Sequence, residues 1–144
     1  MHSSLKILIK HLLIAILTAY FFNWLNTNFF EFKNSSQNAL KDLSQGSKII
    51  VILILGPLIE TLIFQLPLLY FRKTKAHFLF LIVMCFLFAS THLYNPIYFV
   101  FAFFLGLNFN LFFVKIKKGE YINEAFILTF LLHLFFNLYG LLFV

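Results

Sequence analysis

Charge is what this sequence has least of. Only 11% of its 144 residues are Asp, Glu, Lys or Arg, where a water-soluble domain carries roughly 25% to cover its surface. A soluble globular fold is excluded by that shortage. Cysteine is nearly absent too: Cys85 stands alone, so neither a disulfide framework nor a cysteine-rich metal centre can form, and within its apolar run it reads as a packed thiol. The strict polar–apolar alternation of barrel strands is missing. No concentrated basic patch exists either. The net charge of +6 comes from short clusters between apolar blocks, the distribution of membrane loops and not the footprint of a nucleic-acid-binding surface. The triplet Asn34-Ser35-Ser36 fits a glycosylation sequon, a pattern too common to carry weight.

What is present is apolar: 62% of the residues are hydrophobic and the mean hydropathy is +0.93. These residues fall into five blocks, Ile7–Leu25, Ile49–Phe71, Ala76–Leu93, Ile97–Val114 and Ala125–Val144. Each is close to the ~20 residues that carry a helix across the hydrocarbon core. In lipid every backbone N–H and C=O must find its partner inside the segment, so these spans are expected to be helices. The expected fold class is all-α, a polytopic transmembrane bundle. Residues 1–48 hold a lone first helix and the one extended polar stretch, Asn26–Lys48; residues 49–144 hold a compact four-helix unit. The first block has no small-x-small cleavage site after it, since Ala19–Asn26 reads AYFFNWLN, and it is expected to stay as a helix.

Sidedness follows from the loops. An N-terminus inside places Lys6, Lys10, Arg72, Lys73, Lys75, Lys115, Lys117 and Lys118 on the inner side and only Lys33, Lys41 and Lys48 on the outer. The bias predicts a cytoplasmic N-terminus.

Against this background the polar residues at membrane depth are the informative ones, because each costs a few kcal/mol unless partnered. They are Glu60, Thr61 and Gln65 in the second span, His92 in the third, Asn108 and Asn110 in the fourth, and His133 and Asn137 in the fifth. His133 and Asn137 are four apart and share a helix face, as do Phe88 and His92. Glu60 and Gln65 are five apart, about 140° round an α-helix, and are expected to face different neighbours. Gly56-Pro57 precedes Glu60, and a proline frees a backbone carbonyl one turn earlier. A lone buried His or Asn is as readily a packing element as a working group. A carboxyl with two imidazoles on three helices is less easily decoration. Glu with His can take a proton from water, and a second His with Asn can donate to an oxyanion. Two His and a carboxylate can equally hold a metal such as zinc, and a proton relay uses the same residue types.

At these positions the sequence resembles the CPBP family, the CAAX-protease and bacteriocin-processing (Abi) intramembrane proteases of bacteria. Gly56–Leu69, GPLIETLIFQLPLL, looks like the family's first motif, written EExxxR; Phe88–His92, FASTH, matches FxxxH; His133–Asn137, HLFFN, matches HxxxN. The resemblance covers about Ile49 to Gly140. It implies a glutamate-dependent endopeptidase, seated in a bacterial cytoplasmic membrane, that cleaves a membrane-associated or lipidated protein or peptide. By position, Glu60 would activate water with His92, while His133 and Asn137 would bind the oxyanion or orient the water. Thr61, Gln65 and Phe88 would support them. No metal is expected; zinc is the alternative, and Glu60, His92 and His133 would be its ligands. Membrane lipids are expected partners and nucleic acid is not. Two positions depart: Thr61 replaces the second Glu and Gln65 the Arg, so the motif reads ETxxxQ. One negative and one positive charge are lost together, and a second reading stays open, a non-catalytic member that binds a partner, as in bacteriocin self-immunity. A small transporter is the third reading. One geometric tension is also visible: His92 falls near the outer end of its span and Glu60 and His133 near the middle of theirs, roughly 10 Å apart in depth. Tilt, a longer third helix or a turn around Asn95-Pro96 would close it.

Overall fold

The structure, a computed structural model, describes residues 2–32, 42–71, 76–116 and 122–143. The described residues contain helices and no strand. Helix α1 is His2–Leu25, extended by one wide turn, Asn26–Phe30; α2 is the span Gln45–Tyr70; α3 is His77–Ser90; α4 is Pro96–Ile116; and α5 is Ile122–Phe143. Four helices are long and apolar enough to cross a membrane, and α3, with 14 residues, is a shorter apolar helix. The bundle is turned outward in the way lipid requires: Leu17, Phe78 and Leu79 are 65%, 73% and 67% exposed, a surface that water would not tolerate. Lys33, Lys41, Arg72, Lys73, Lys75, Lys117 and Lys118, on which the sidedness argument leans, lie outside the described residues, as do Asn34-Ser35-Ser36 and Val144.

Helix α4 is the pillar. Half of its apolar window is buried inside the bundle, against 22% for each of the other three spans. It packs on α3, α1 and α5. The side-chain pairs fix the directions. Ser4 Oγ donates to Glu124 Oε1 at 2.9 Å and Tyr139 donates to the Tyr20 hydroxyl at 2.5 Å, so α1 and α5 run parallel. Asn137 meets Ile52 and His133 meets Glu60, so α2 and α5 run antiparallel. The first helix is therefore set apart in sequence by a polar stretch yet joined to the bundle in space. Its buried anchor is a reciprocal pair: His11 Nδ1 donates to Asn108 Oδ1 at 2.8 Å, and Asn108 Nδ2 donates to the His11 carbonyl at 2.9 Å. An imidazole and an amide that satisfy each other can sit at membrane depth.

Helix α2 departs from ideal geometry on both sides of Glu60. The Gly56 N–H bonds the Val51 carbonyl and the Leu66 N–H the Thr61 carbonyl, both five residues back. Such wide turns are rare and concentrate at functional sites. Gly56 suits the first of them, since a Cβ there would meet the Val51 carbonyl oxygen at 3.1 Å. In this register the next N–H, at residue 57, would bond Ile52; residue 57 is proline and has none.

Candidate active site

Three elements bring the site together. Glu60 ends the short α-helical stretch Gly56–Glu60 of α2, between the wide turns. His133 lies midway along α5 and is almost fully buried. Its Nε2 is 3.3 Å from Glu60 Oε2, although the contact is not aligned as a hydrogen bond, and Oε2 has no hydrogen-bond partner. His133 Nδ1 lacks one as well, as do Thr61 Oγ1 and Gln65 Oε1 further along α2. A buried polar group without a partner costs about 1–3 kcal/mol, so Glu60 Oε2 and His133 Nδ1 on facing helices mark a place suited to receiving polar atoms.

His92 sits in the turn after α3, which is shorter than the expected Ala76–Leu93 span. The helix ends at Ser90 because Phe88's carbonyl is taken over by the residues that follow. Thr91 Oγ1 donates to that carbonyl at 2.7 Å, the Thr91 N–H at 3.2 Å, and His92 Nδ1 at 3.0 Å. Short polar side chains compete with the helical ladder in this way. The arrangement also fixes the imidazole. A carbonyl only accepts, so Nδ1 carries the hydrogen, and in the neutral ring Nε2 is left with a free lone pair. His92 is thereby set to receive a proton.

Phe88 joins the two histidines. Its ring centroid is 4.8 Å from that of His92 and 6.1 Å from that of His133. Phe109 packs on His133 at 4.6 Å. Gly106 on α4 makes room for Phe88: a Cβ there would lie 2.9 Å from Phe88 Cδ1. The expected one-turn pairing of Phe88 with His92 is observed, though His92 sits past the helix end.

Asn137, one turn beyond His133 on α5, engages the backbone of α2. Its Nδ2 donates to the Ile52 carbonyl at 2.8 Å, the carbonyl that Pro57 leaves without an N–H. It holds α5 against α2 and so sets the level at which His133 meets Glu60. Gln65, fully buried, donates through Nε2 to Asn110 Oδ1 at 2.9 Å, and Asn110 Nδ2 reaches Cys85 Sγ at 3.3 Å and the Leu81 carbonyl at 3.4 Å. Glu60 and Gln65 thus face different neighbours, α5 and α4, as their spacing predicts. Thr61 is fully buried beside them. Sequence reasoning noted Asn108 and Asn110 as polar residues at depth without seeing their partners. It missed Thr91 and Tyr98, whose ring stacks on His92 at 6.1 Å and 21°. Among the described residues no three His, Cys, Asp or Glu side chains cluster closely enough to hold a metal ion.

The fold and the site define a class: a multi-pass α-helical membrane protein with a carboxylate and an imidazole in contact between two of its helices. Residues 43–139, more than half of the chain, match the family described as Type II CAAX prenyl endopeptidase Rce1-like. The chain belongs to that family. No curated protein and no solved structure matches it.

Proposed function

We propose that the protein is a glutamate-dependent intramembrane endopeptidase acting on a membrane-associated or lipidated protein or peptide, with a prenylated C-terminal segment as the substrate class nearest to the family's description. The observation that carries this reading is the Glu60–His133 contact of 3.3 Å among unpartnered buried polar atoms. In the reaction Glu60 takes a proton from water, aided by the free Nε2 of His92. The water oxygen attacks the scissile carbonyl carbon, His133 steadies the charge that develops, and the C–N bond breaks. The proton held by Glu60 goes to the leaving amine. The scheme requires no metal. It acts in a bacterial cytoplasmic membrane with the N-terminus on the cytoplasmic side, surrounded by lipid.

A second reading, a non-catalytic member that binds a partner in bacteriocin self-immunity, has one observation in its favour: Gln65, in place of the family's Arg, is engaged in packing with Asn110. One experiment separates the two. Purified protein in lipid is given a fluorogenic prenylated peptide, alongside Glu60→Gln and His92→Ala variants checked for folding. The peptidase reading expects cleavage by the wild type and loss of at least about a hundredfold in either variant. Equal cleavage by wild type and Glu60→Gln would sink it, and protection against a bacteriocin that survives Glu60→Gln would support the binding reading.

A further inference from the structure

The lipid-facing side of the bundle is not uniform. Between α1 and α4 it holds a groove of about 400 Å³, lined by Ile14, Leu17, Thr18, Phe21, Phe22 and Phe104. Its one hydroxyl makes no demand on an occupant, because Thr18 Oγ1 donates to the Ile14 carbonyl at 2.8 Å. At this depth there is no water to fill such a groove, and its occupant is a hydrocarbon chain.

Helix periodicity ties the groove to positive charge. Lys10 is seven residues before Leu17 and eleven before Phe21, about 20° from each round α1, and Lys6 lies one turn nearer the helix start. On α4, Lys115 is eleven residues beyond Phe104, again about 20° away. The two helices are antiparallel, with Phe22 beside Phe101 and Phe104. His11 sets their level: it bonds Asn108 at 2.8 Å and its ring lies 5.2 Å from that of Phe112. This register puts Lys115 opposite Lys6, and all three lysines are exposed. Glu124, at the same end, does not neutralise them. It accepts from Ser4, which is about 160° from Lys6 round α1.

Distances along the helix fit a lipid. Lys6 stands about 12 Å from Ile14 and about 24 Å from Phe22. A phospholipid descends from its phosphate through about 6 Å of interface and about 15 Å of hydrocarbon to the midplane. With the phosphate level with Lys6 and Lys115, the lower part of a chain lies in the groove, and Lys10 extends along its stem to the same anion. The groove is also turned away from the candidate active site. Phe104 and Gly106 are about 160° apart round α4, and Gly106 packs on Phe88. A substrate's own anchor seated here would be held on the far side of α4 from Glu60.

We infer that α1 and α4 form a binding site for one anionic phospholipid of the surrounding bilayer, its phosphate held by Lys6, Lys10 and Lys115 and one acyl chain laid in the groove. Most of the site comes from α1, which precedes the segment 43–139 shared with the family. The lipid therefore ties this first helix to the rest of the bundle, and the site stands whether or not the protein cleaves peptides.

The test is native mass spectrometry of purified protein titrated in detergent with phosphatidylglycerol or phosphatidylcholine of identical acyl chains, with melting of each variant as a check on folding. The wild type is expected to hold one phosphatidylglycerol at least about tenfold more tightly than phosphatidylcholine, since each lysine near an anionic headgroup contributes about fivefold. The triple variant Lys6→Gln, Lys10→Gln, Lys115→Gln is expected to bring the two lipids within about threefold of each other. Lys48→Gln, at the opposite end of the bundle, is expected to leave the preference unchanged. Thr18→Phe fills the groove and is expected to weaken both lipids at least about fivefold, the effect of losing contact with one or two methylenes; Leu17→Trp serves if that variant melts early. Equal binding of the two lipids by the wild type, or an undiminished preference in the triple variant, overturns the headgroup site. Full binding by a groove-filled variant overturns the place of the chain. Displacement of phosphatidylglycerol by an equal concentration of prenylated peptide would give the groove to the substrate, and equal competition by glycerol phosphate would reduce the site to a surface anion contact; either result overturns the inference.

Discussion

Asn137 of α5 donates its side-chain amide to the Ile52 carbonyl of α2 at 2.8 Å. In the register of the wide turn before Glu60, that carbonyl belongs to the N–H that Pro57 does not have. The break in one helix is closed by a side chain of another, and the closure aligns His133 with Glu60. Asn137→Ala is therefore expected to lower stability by about 1–3 kcal/mol, since it leaves a carbonyl unpaired at membrane depth. In a Pro57→Ala background residue 57 regains an N–H for Ile52, and the same substitution is expected to cost about 1 kcal/mol less. Thermal or denaturant unfolding of the four proteins in detergent measures this coupling. Additive losses would show that the two residues do not share the carbonyl.

The reciprocal pair His11–Asn108 is the buried polar tie between α1 and α4. Asn108→Ala removes both hydrogen bonds and leaves the His11 carbonyl and imidazole without them. The expected loss is about 1–3 kcal/mol, seen as a lower melting temperature. Because α1 contributes nothing to the Glu60–His92–His133 cluster, the folded variant is expected to keep its cleavage rate within about threefold.

How much of this was legible from the chain depends on which force sets each feature. Helices and their approximate limits follow from the hydropathy of the blocks, because lipid leaves the backbone no other choice. The short α3 was only partly legible: Ser90, Thr91 and His92 break the apolar run, but its end is set by competition for one carbonyl at Phe88. Glu60 and His133 stood out as costly groups at depth, and they do meet. Asn137 stood out equally, but its bond to the Ile52 carbonyl depends on the register α2 adopts, which residue type does not show. Tyr98 gave no signal, since tyrosine and phenylalanine are plentiful in every span. The packing of α1 was also invisible, because a polar linker separates helices in sequence without separating them in space.

At Gly106 the Phe88 ring of α3 packs directly against the backbone of α4. A Cβ at this position would lie 2.9 Å from Phe88 Cδ1 and 3.2 Å from Phe88 Cγ, and the Phe88 ring is what separates and steadies the two imidazoles. Phe88 is itself almost fully buried, so it has little space to retreat. Gly106→Ala is expected to destabilise by about 1 kcal/mol and Gly106→Val by about 2–3 kcal/mol. Cleavage is expected to fall in the same order, from several-fold to more than tenfold, as the His92 and His133 rings are displaced. A Gly106→Val protein with wild-type melting and cleavage would show that α3 and α4 can separate without cost to the site.

Thr61 and Gln65 test whether the variant first motif is a coordinated exchange. Both side chains are fully buried, so Gln65→Arg alone places a guanidinium beside Asn110 and Cys85 with no new anion to neutralise it. An unpaired buried charge costs about 3–5 kcal/mol, enough to prevent folding in a small bundle. Thr61→Glu alone adds a carboxyl next to Glu60, and its expected loss is of similar size. The pair together, Thr61→Glu with Gln65→Arg, restores an acid and a base four residues apart on one helix, where they can meet. The double variant is expected to be at least about 2 kcal/mol more stable than the sum of the single losses predicts, measured by unfolding in detergent with yield of folded protein as a second readout. If the double variant is as damaged as the sum, the pocket has been remodelled around Gln65 and Asn110, and the neutral pair is a packing solution specific to this chain. If the coupling appears and cleavage survives, the site tolerates either pair, and the charge balance of the helix is the property that its sequence maintains.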